Sequence, residues 1–122
     1  MTRPTRQEQA QSILRRRAWQ LASQVLGRRA TNAADFTEAF NLERIDLIAE
    51  IPNAATMLSL GANQAGPRDG LYVIDDGGSY RVYLQERGIP VNPEIGLTFG
   101  AARDAAIDSL ILLNGIPFSP EG

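Results

Sequence analysis

The fold is decided by residues 71–99, which read LYVIDDGGSYRVYLQERGIPVNPEIGLTF. Residues 71–75 and 79–86 are rich in β-branched and aromatic side chains, which favours β-strands. Between them, Asp76-Gly77-Gly78 supplies the positive φ angles that a tight hairpin needs. Residues 95–99 repeat the two-residue alternation of apolar side chains and predict a third antiparallel strand. The stretch therefore predicts a three-stranded meander.

Helical patterns lie on both sides of this sheet in the sequence. Residues 1–27 predict one long N-terminal helix with a capping box that starts at Thr5. Short helices are predicted over 32–61, and a helix over 100–114 has a face of small side chains that suits close packing on a sheet. The predicted fold class is α+β, a three-stranded antiparallel meander packed against a long N-terminal helix and a C-terminal helix, with short helices between. The prediction is of a single domain over residues 1–122.

The composition excludes several kinds of site. The chain contains no cysteine and no histidine, which excludes disulfides, thiolate metal sites and catalytic arrangements that need either residue. An apolar signal core and a run of 18 apolar residues are both absent, which predicts a soluble, cytoplasmic protein with no membrane partner. No cofactor is expected, because Gly77-Gly78 joins strand to strand and lacks the features of a phosphate-binding loop.

All twelve basic residues are arginine, and their distribution is uneven. Residues 1–29 hold seven arginines against one carboxylate, a net charge of +6, whereas residues 30–122 carry −8. Such asymmetry indicates either a charged partner or attraction between the two parts of the chain. Five of these arginines are candidate phosphate contacts for a nucleic-acid-associated regulatory factor of a phage or mobile element, unless they form a solvated helix face. They are Arg15, Arg16, Arg17, Arg28 and Arg29.

Candidate contacts for a protein partner lie on and beside the predicted hairpin. Tyrosine is enriched in binding hot spots, so Tyr72 and Tyr83 are candidate anchors unless they belong to the core. Glu86 and Arg87 end the longest predicted strand, where they either pair locally or present charge to another protein. The full set is Tyr72, Asp75, Asp76, Tyr83, Glu86 and Arg87, although turn aspartates commonly bond to their own backbone. A carboxylate-based enzyme, with Glu86 facing a second acid, is a third and weaker alternative.

The second strand and the helix after it resemble a known family. Residues 80–88, YRVYLQERG, are followed by Leu97-Thr98-Phe99 and an alanine-rich helix over 101–113. This arrangement resembles small immunity proteins of bacterial polymorphic-toxin systems, over roughly the last fifty residues and without the arginine-rich first helix. The resemblance implies a non-enzymatic protein that binds one cognate toxin and blocks or distorts its active site. The acidic part of the chain suits a toxin whose substrate groove is basic.

Overall fold

A computed structural model describes residues 3–117 of the chain. Within this range the chain forms two compact units, residues 3–50 with residues 114–117, and Ile51–Leu113. The first unit is helical, and the second contains the sheet. The predicted α+β class, with a three-stranded antiparallel sheet and a C-terminal helix, is confirmed. That the chain is a single domain, with the sheet packed on the N-terminal region, remains a prediction.

The predicted long N-terminal helix is wrong, because two helices occupy that region. Helix α1 spans Arg6–Leu14, and helix α2 spans Ala18–Leu26. Between them Arg16 has a φ of 60°, and its N–H donates to the Ile13 carbonyl at 3.2 Å. The N–H of Arg17 donates to the Ser12 carbonyl at 2.7 Å. This pair of bonds is a Schellman motif, which ends a helix with one left-handed residue, usually glycine.

Two short helices complete the first unit, α3 over Ala33–Ala39 and α4 over Arg44–Ala49. The predicted capping box of α1 is confirmed: the Thr5 hydroxyl accepts from the Glu8 N–H at 3.0 Å, and the Glu8 carboxylate accepts from the Thr5 N–H at 3.1 Å. Gln9 is fully buried, and its side-chain oxygen accepts from the N–H groups of Asn41 and Leu42 at 2.8 and 2.9 Å. These bonds fix α1 to the segment that precedes α4.

The second unit contains helix α5 (Ala54–Leu58), strands β1 (Gly70–Asp75), β2 (Tyr80–Glu86) and β3 (Ile89–Leu97), and helix α6 (Phe99–Leu113). The strands pair antiparallel in the order β1-β2-β3, so β2 is central and β3 lies at an edge. The first two strands match the prediction to within one residue. β3 begins at residue 89 instead of 95, because residues 89–94 continue the hairpin with β2.

The middle of the central strand is covered on both faces, where Val82 and Tyr83 are buried. On one face α6 packs against β1 and β2, where the ring of Phe99 meets the ring of Tyr80 at 6.5 Å in a T-shaped arrangement. On the other face the loop over residues 61–69 covers a stacked pair of tyrosines. This loop is also joined to β1 by a parallel bridge between Ala62 and Tyr72. The exposed side chains of the sheet therefore lie mainly at the turns and along β3.

Candidate partner-binding surface

The turn between β2 and β3 is a tight two-residue hairpin. Glu86 pairs with Ile89 across the turn, and the residues between them, Arg87 and Gly88, have φ of 52° and 76°. Positive φ at both positions is what a type I′ turn requires, and the twist of that turn suits the flanking strands. Gly88 adopts this geometry at no steric cost, whereas Arg87 needs stabilisation from outside the turn.

Asp69 supplies that stabilisation. Its two carboxylate oxygens accept from the N–H groups of Arg87 and Gly88, each at 2.9 Å. Bonds to an ionised acceptor are stronger than bonds between neutral groups, so this pair fixes the hairpin tip to the residue that precedes β1. Sequence reasoning missed Asp69, because the contact joins positions 18 and 19 residues apart and no local pattern marks it.

An exposed apolar cluster lies beside this turn. Ile89 and Val91 are 67% and 43% exposed, and they share a sheet face with their β2 partners, Glu86 and Leu84. Glu94 lies on the same face through its pairing with β2. We call this set the β3 patch: Leu84, Glu86, Ile89, Val91 and Glu94. It has an exposed carboxylate at each end, and neither carboxylate forms an ion pair within residues 3–117.

The outer backbone edge of β3 is unsuited to pairing with another strand. Pro90 and Pro93 have no N–H group to donate. Two register shifts interrupt the pairing with β2, and Asn92 and Gly96, within the irregular parts, have φ of 44° and 67°. Prolines and bulges of this kind protect edge strands from strand addition. The β3 patch therefore offers side chains, and not a free strand edge, for contact.

Tyr72 and Tyr83 do not contribute to this surface. They are 2% and 5% exposed, and their rings stack with centroids 4.8 Å apart. The Tyr72 hydroxyl donates to the carbonyl groups of Gly66 and Arg68, at 3.0 and 2.5 Å, which holds the covering loop in place. The expectation that these two tyrosines anchor a partner is corrected accordingly: both side chains are buried, and they support the sheet from inside.

The aspartates of the first hairpin are occupied locally and lie at the opposite end of β2. Asp75 accepts from a backbone N–H two residues further on, at 2.8 Å. Asp76 forms a salt bridge with Arg81 at 2.9 Å, and its hydrogen bond raises the pKa of Arg81. The seven residues of β2 separate this turn from Arg87 by about 20 Å. The structure thus brings together Glu86 and Arg87 from the predicted set, but not the two aspartates.

The arginines of the first unit divide into paired and unpaired groups. Arg6 bonds to Asp46 at 2.8 Å and to Glu43 at 3.1 Å, and the hydrogen bond to Asp46 raises the pKa of Arg6. Part of the charge asymmetry in the sequence is therefore neutralised inside this unit. Within residues 3–117, four arginine side chains of the N-terminal region form neither a hydrogen bond nor an ion pair: Arg15, Arg16, Arg17 and Arg29.

Arg28 belongs to the paired group. Hydrogen bonds from the Arg28 guanidinium and from the Thr31 N–H, each at 2.8 Å, lower the pKa of Asp35 to about 2. Asp35 lies in the first turn of α3, where the helix dipole also favours a negative charge. Of the five arginines that the sequence offered as phosphate contacts, Arg28 thus holds α3, whereas the other four side chains have no partner among residues 3–117.

Residues 3–117 contain no group of three or more His, Cys, Asp or Glu side chains arranged to hold a metal ion. None of the helices in the same range is both long enough and apolar enough to cross a membrane.

Comparisons with protein-family models, with curated proteins and with solved structures found no match to this chain. Two surfaces of the described chain remain available for a partner, the β3 patch and the four arginines without a partner in residues 3–117.

Proposed function

We propose that this protein is a non-enzymatic immunity protein that acts in the cytoplasm, where it binds a cognate bacterial toxin through the β3 patch. The observation that carries the proposal is a pair of large, exposed apolar side chains, Ile89 and Val91, on a hairpin fixed by Asp69. Exposed apolar side chains that adjoin one another mark interaction sites more often than scattered ones do.

The composition of the β3 patch matches the general anatomy of protein interfaces. Their centres are depleted in charge and their rims are polar. Ile89 and Val91 supply an apolar centre, while Glu86 and Glu94 lie toward the rim. The hairpin is also pre-organised, because the turn is fixed by two bonds to one carboxylate, and a rigid surface loses little conformational entropy when it binds.

The charge of the second unit favours a basic partner. Residues 51–113 carry four arginines against seven carboxylates, a net charge of −3. Complementary charge accelerates the encounter between two proteins at low ionic strength and disfavours partners of the wrong sign. A toxin with a basic substrate groove has the complementary chemistry, and contact with that groove would block access of the toxin's substrate.

The resemblance in sequence supports the same proposal. In this chain the Glu86-Arg87-Gly88 segment that carries the resemblance forms the turn beside the β3 patch. Arg87 is exposed and forms no ion pair within the described residues, so its planar guanidinium remains available for bidentate bonds to a partner carboxylate.

The proposal is tested by co-expression with the protein encoded directly upstream of this chain's gene. We expect the C-terminal domain of that protein to stop bacterial growth and the wild-type chain to restore growth and to co-purify with it. Ile89→Asp should raise the dissociation constant at least about 30-fold, the cost of losing a hot spot of about 2 kcal/mol, and should abolish rescue.

Ile45→Asp is the matched control, because Ile45 is 53% exposed on α4 and lies outside the β3 patch. It should rescue growth as the wild type does. An upstream product that is harmless and does not bind the chain would contradict the proposal. Equal loss of binding in the two variants would contradict the assignment of the surface.

A further inference from the structure

We infer that a second surface of this protein, on the first unit, binds single-stranded nucleic acid. The surface consists of helix α2 and a groove on each side of it, and we call it the α2 face. It is formed by Arg15, Arg17, Trp19, Gln20 and Arg29, and it contains no residue of the β3 patch. Nucleic-acid binding at the α2 face therefore does not depend on toxin binding at the β3 patch, and it is tested separately.

The first groove lies between α1 and α2. It has a volume of about 610 Å³, within the range of small-ligand sites. Arg15 and Arg17 line it, and neither guanidinium has a carboxylate or a carbonyl partner within residues 3–117. Glu8 is the one carboxylate of the lining, and it is occupied by its bond from the Thr5 N–H. Two arginines against one carboxylate therefore give the lining a net charge of +1, and four of its other five residues are polar.

The start of α2 adds a second preference for anions at the same groove. Arg17 is the N-cap residue, and its side chain forms no capping bond, because a guanidinium has no acceptor. The first N–H groups of α2 therefore lack the side-chain acceptor that usually satisfies one of them. Arg17 also lies at the positive end of the α2 dipole, an arrangement that a bound anion would stabilise.

The second groove provides an aromatic wall. It has a volume of about 680 Å³ and is lined by Trp19, Gln20, Ser23, Arg29, Ala30 and Thr31. The Trp19 indole N–H donates to the Asn114 carbonyl at 2.8 Å, and its ring meets the Phe36 ring in a T-shaped contact at 4.6 Å. Both contacts hold the indole in one orientation, so the ring presents a fixed surface to the groove.

Gln20 lines both grooves, which makes them neighbours across α2. Arginine side chains beside an immobilised aromatic ring are the combination by which proteins bind single strands: the cations contact phosphates, and the ring stacks on a base. The nine residues of α2 span about 14 Å, enough for a few nucleotides between Arg17 and Arg29. A duplex keeps its base faces stacked inside, so the tryptophan favours a single strand.

Fluorescence anisotropy with labelled 12-nucleotide oligonucleotides of DNA and of RNA, and with a duplex of the same sequence, tests this inference. Three phosphate contacts predict a slope of log affinity against log salt of about −2, or an affinity loss of about 20-fold between 50 and 200 mM salt. The double variant Arg15→Gln/Arg17→Gln should reduce that loss to about threefold. Arg68→Gln, which removes an exposed arginine of the second unit, is the matched control and should bind within twofold of wild type.

Trp19 is the one tryptophan of the chain, so quenching of its fluorescence by the oligonucleotide, and not by polyphosphate, reports stacking directly. Quenching by the DNA or by the RNA oligonucleotide supports the inference and shows which nucleic acid binds. The inference would be overturned if the duplex bound as tightly as the single strand. It would also be overturned if polyphosphate bound as tightly as the oligonucleotides and the oligonucleotides did not quench Trp19. Absence of salt-sensitive binding in every arm would overturn it as well.

Discussion

Removal of the Asp69 carboxylate is the change with the clearest expected consequence for the second unit. Asp69→Ala deletes both acceptors of the Arg87 and Gly88 N–H groups. Hydrogen bonds to charged groups contribute roughly 1.5–3 kcal/mol each when well formed. Because Asp69 and the turn are exposed, water replaces the lost acceptor in part, and we expect a total cost of about 1.5 kcal/mol.

The urea midpoint of the second unit measures this cost. An m value of about 1 kcal/mol/M for a unit of this size converts 1.5 kcal/mol into a midpoint lower by about 1.5 M. Near-ultraviolet circular dichroism at the tyrosine bands reports on this unit, because it contains the three tyrosines of the chain, and tryptophan fluorescence follows the first unit separately. Asp69→Asn retains one acceptor oxygen and should lower the midpoint about half as far.

Glu94→Gln is the control for the loss of one negative charge, since the Glu94 carboxylate forms neither a hydrogen bond nor an ion pair within residues 3–117. We expect its midpoint to stay within about 0.3 M of wild type, as is usual for surface substitutions. An Asp69→Ala midpoint that equals the Glu94→Gln midpoint would show that the carboxylate does not hold the turn, and the argument for a pre-organised patch would fail.

Three other substitutions test the structure elsewhere. Arg16→Gly should stabilise the first unit by about 0.5–1 kcal/mol, measured by urea unfolding followed through tryptophan fluorescence, because glycine adopts the left-handed conformation without strain; destabilisation would contradict the Schellman ending. Gly61→Ala should destabilise the second unit by roughly 1–3 kcal/mol, because a Cβ there would lie 2.5 Å from the Leu71 carbonyl oxygen; an unchanged midpoint would refute that contact. The lowered pKa of Asp35 means that its stabilising effect is full above its ordinary value of 3.8 and is lost as the pH falls through about 2. The difference in urea midpoint between wild type and Asp35→Asn should therefore be largest near pH 6 and shrink toward pH 2; a constant difference would argue against the bond to Arg28.

The sequence predicted the first two strands well, because a β-branched and aromatic run on each side of Asp76-Gly77-Gly78 leaves few alternatives. It missed the start of β3, since Pro90 and Pro93 argue against a strand. Proline is tolerated in an edge strand, however, and the two-residue Arg87-Gly88 turn was the signal that β3 starts at residue 89. The apolar residues that carry the proposed function lie in that missed part.

The predictions for the N-terminal region and for the tyrosines failed for different reasons, one local and one tertiary. Helical periodicity continues through residues 15–17, but the Schellman motif at Arg16 ends α1 without the glycine that would have marked it. No local pattern shows that the sheet face of Tyr83 is covered; the bonds from the Gln85 side chain to the Gly66 and Arg68 carbonyls, 19 and 17 residues away, show it. Counting charges showed that residues 1–29 are basic and residues 30–122 acidic, but it could not show that Arg6 and Arg28 form ion pairs with carboxylates.

Hydrogen exchange on the complex with the toxin domain shows where the toxin binds. We expect binding to slow exchange at the amides of residues 84–95, around the β3 patch, and to leave helices α1 and α2 unchanged. Protection confined to residues 6–29, with exchange along β2 and β3 the same as in the free protein, would contradict toxin binding at the β3 patch.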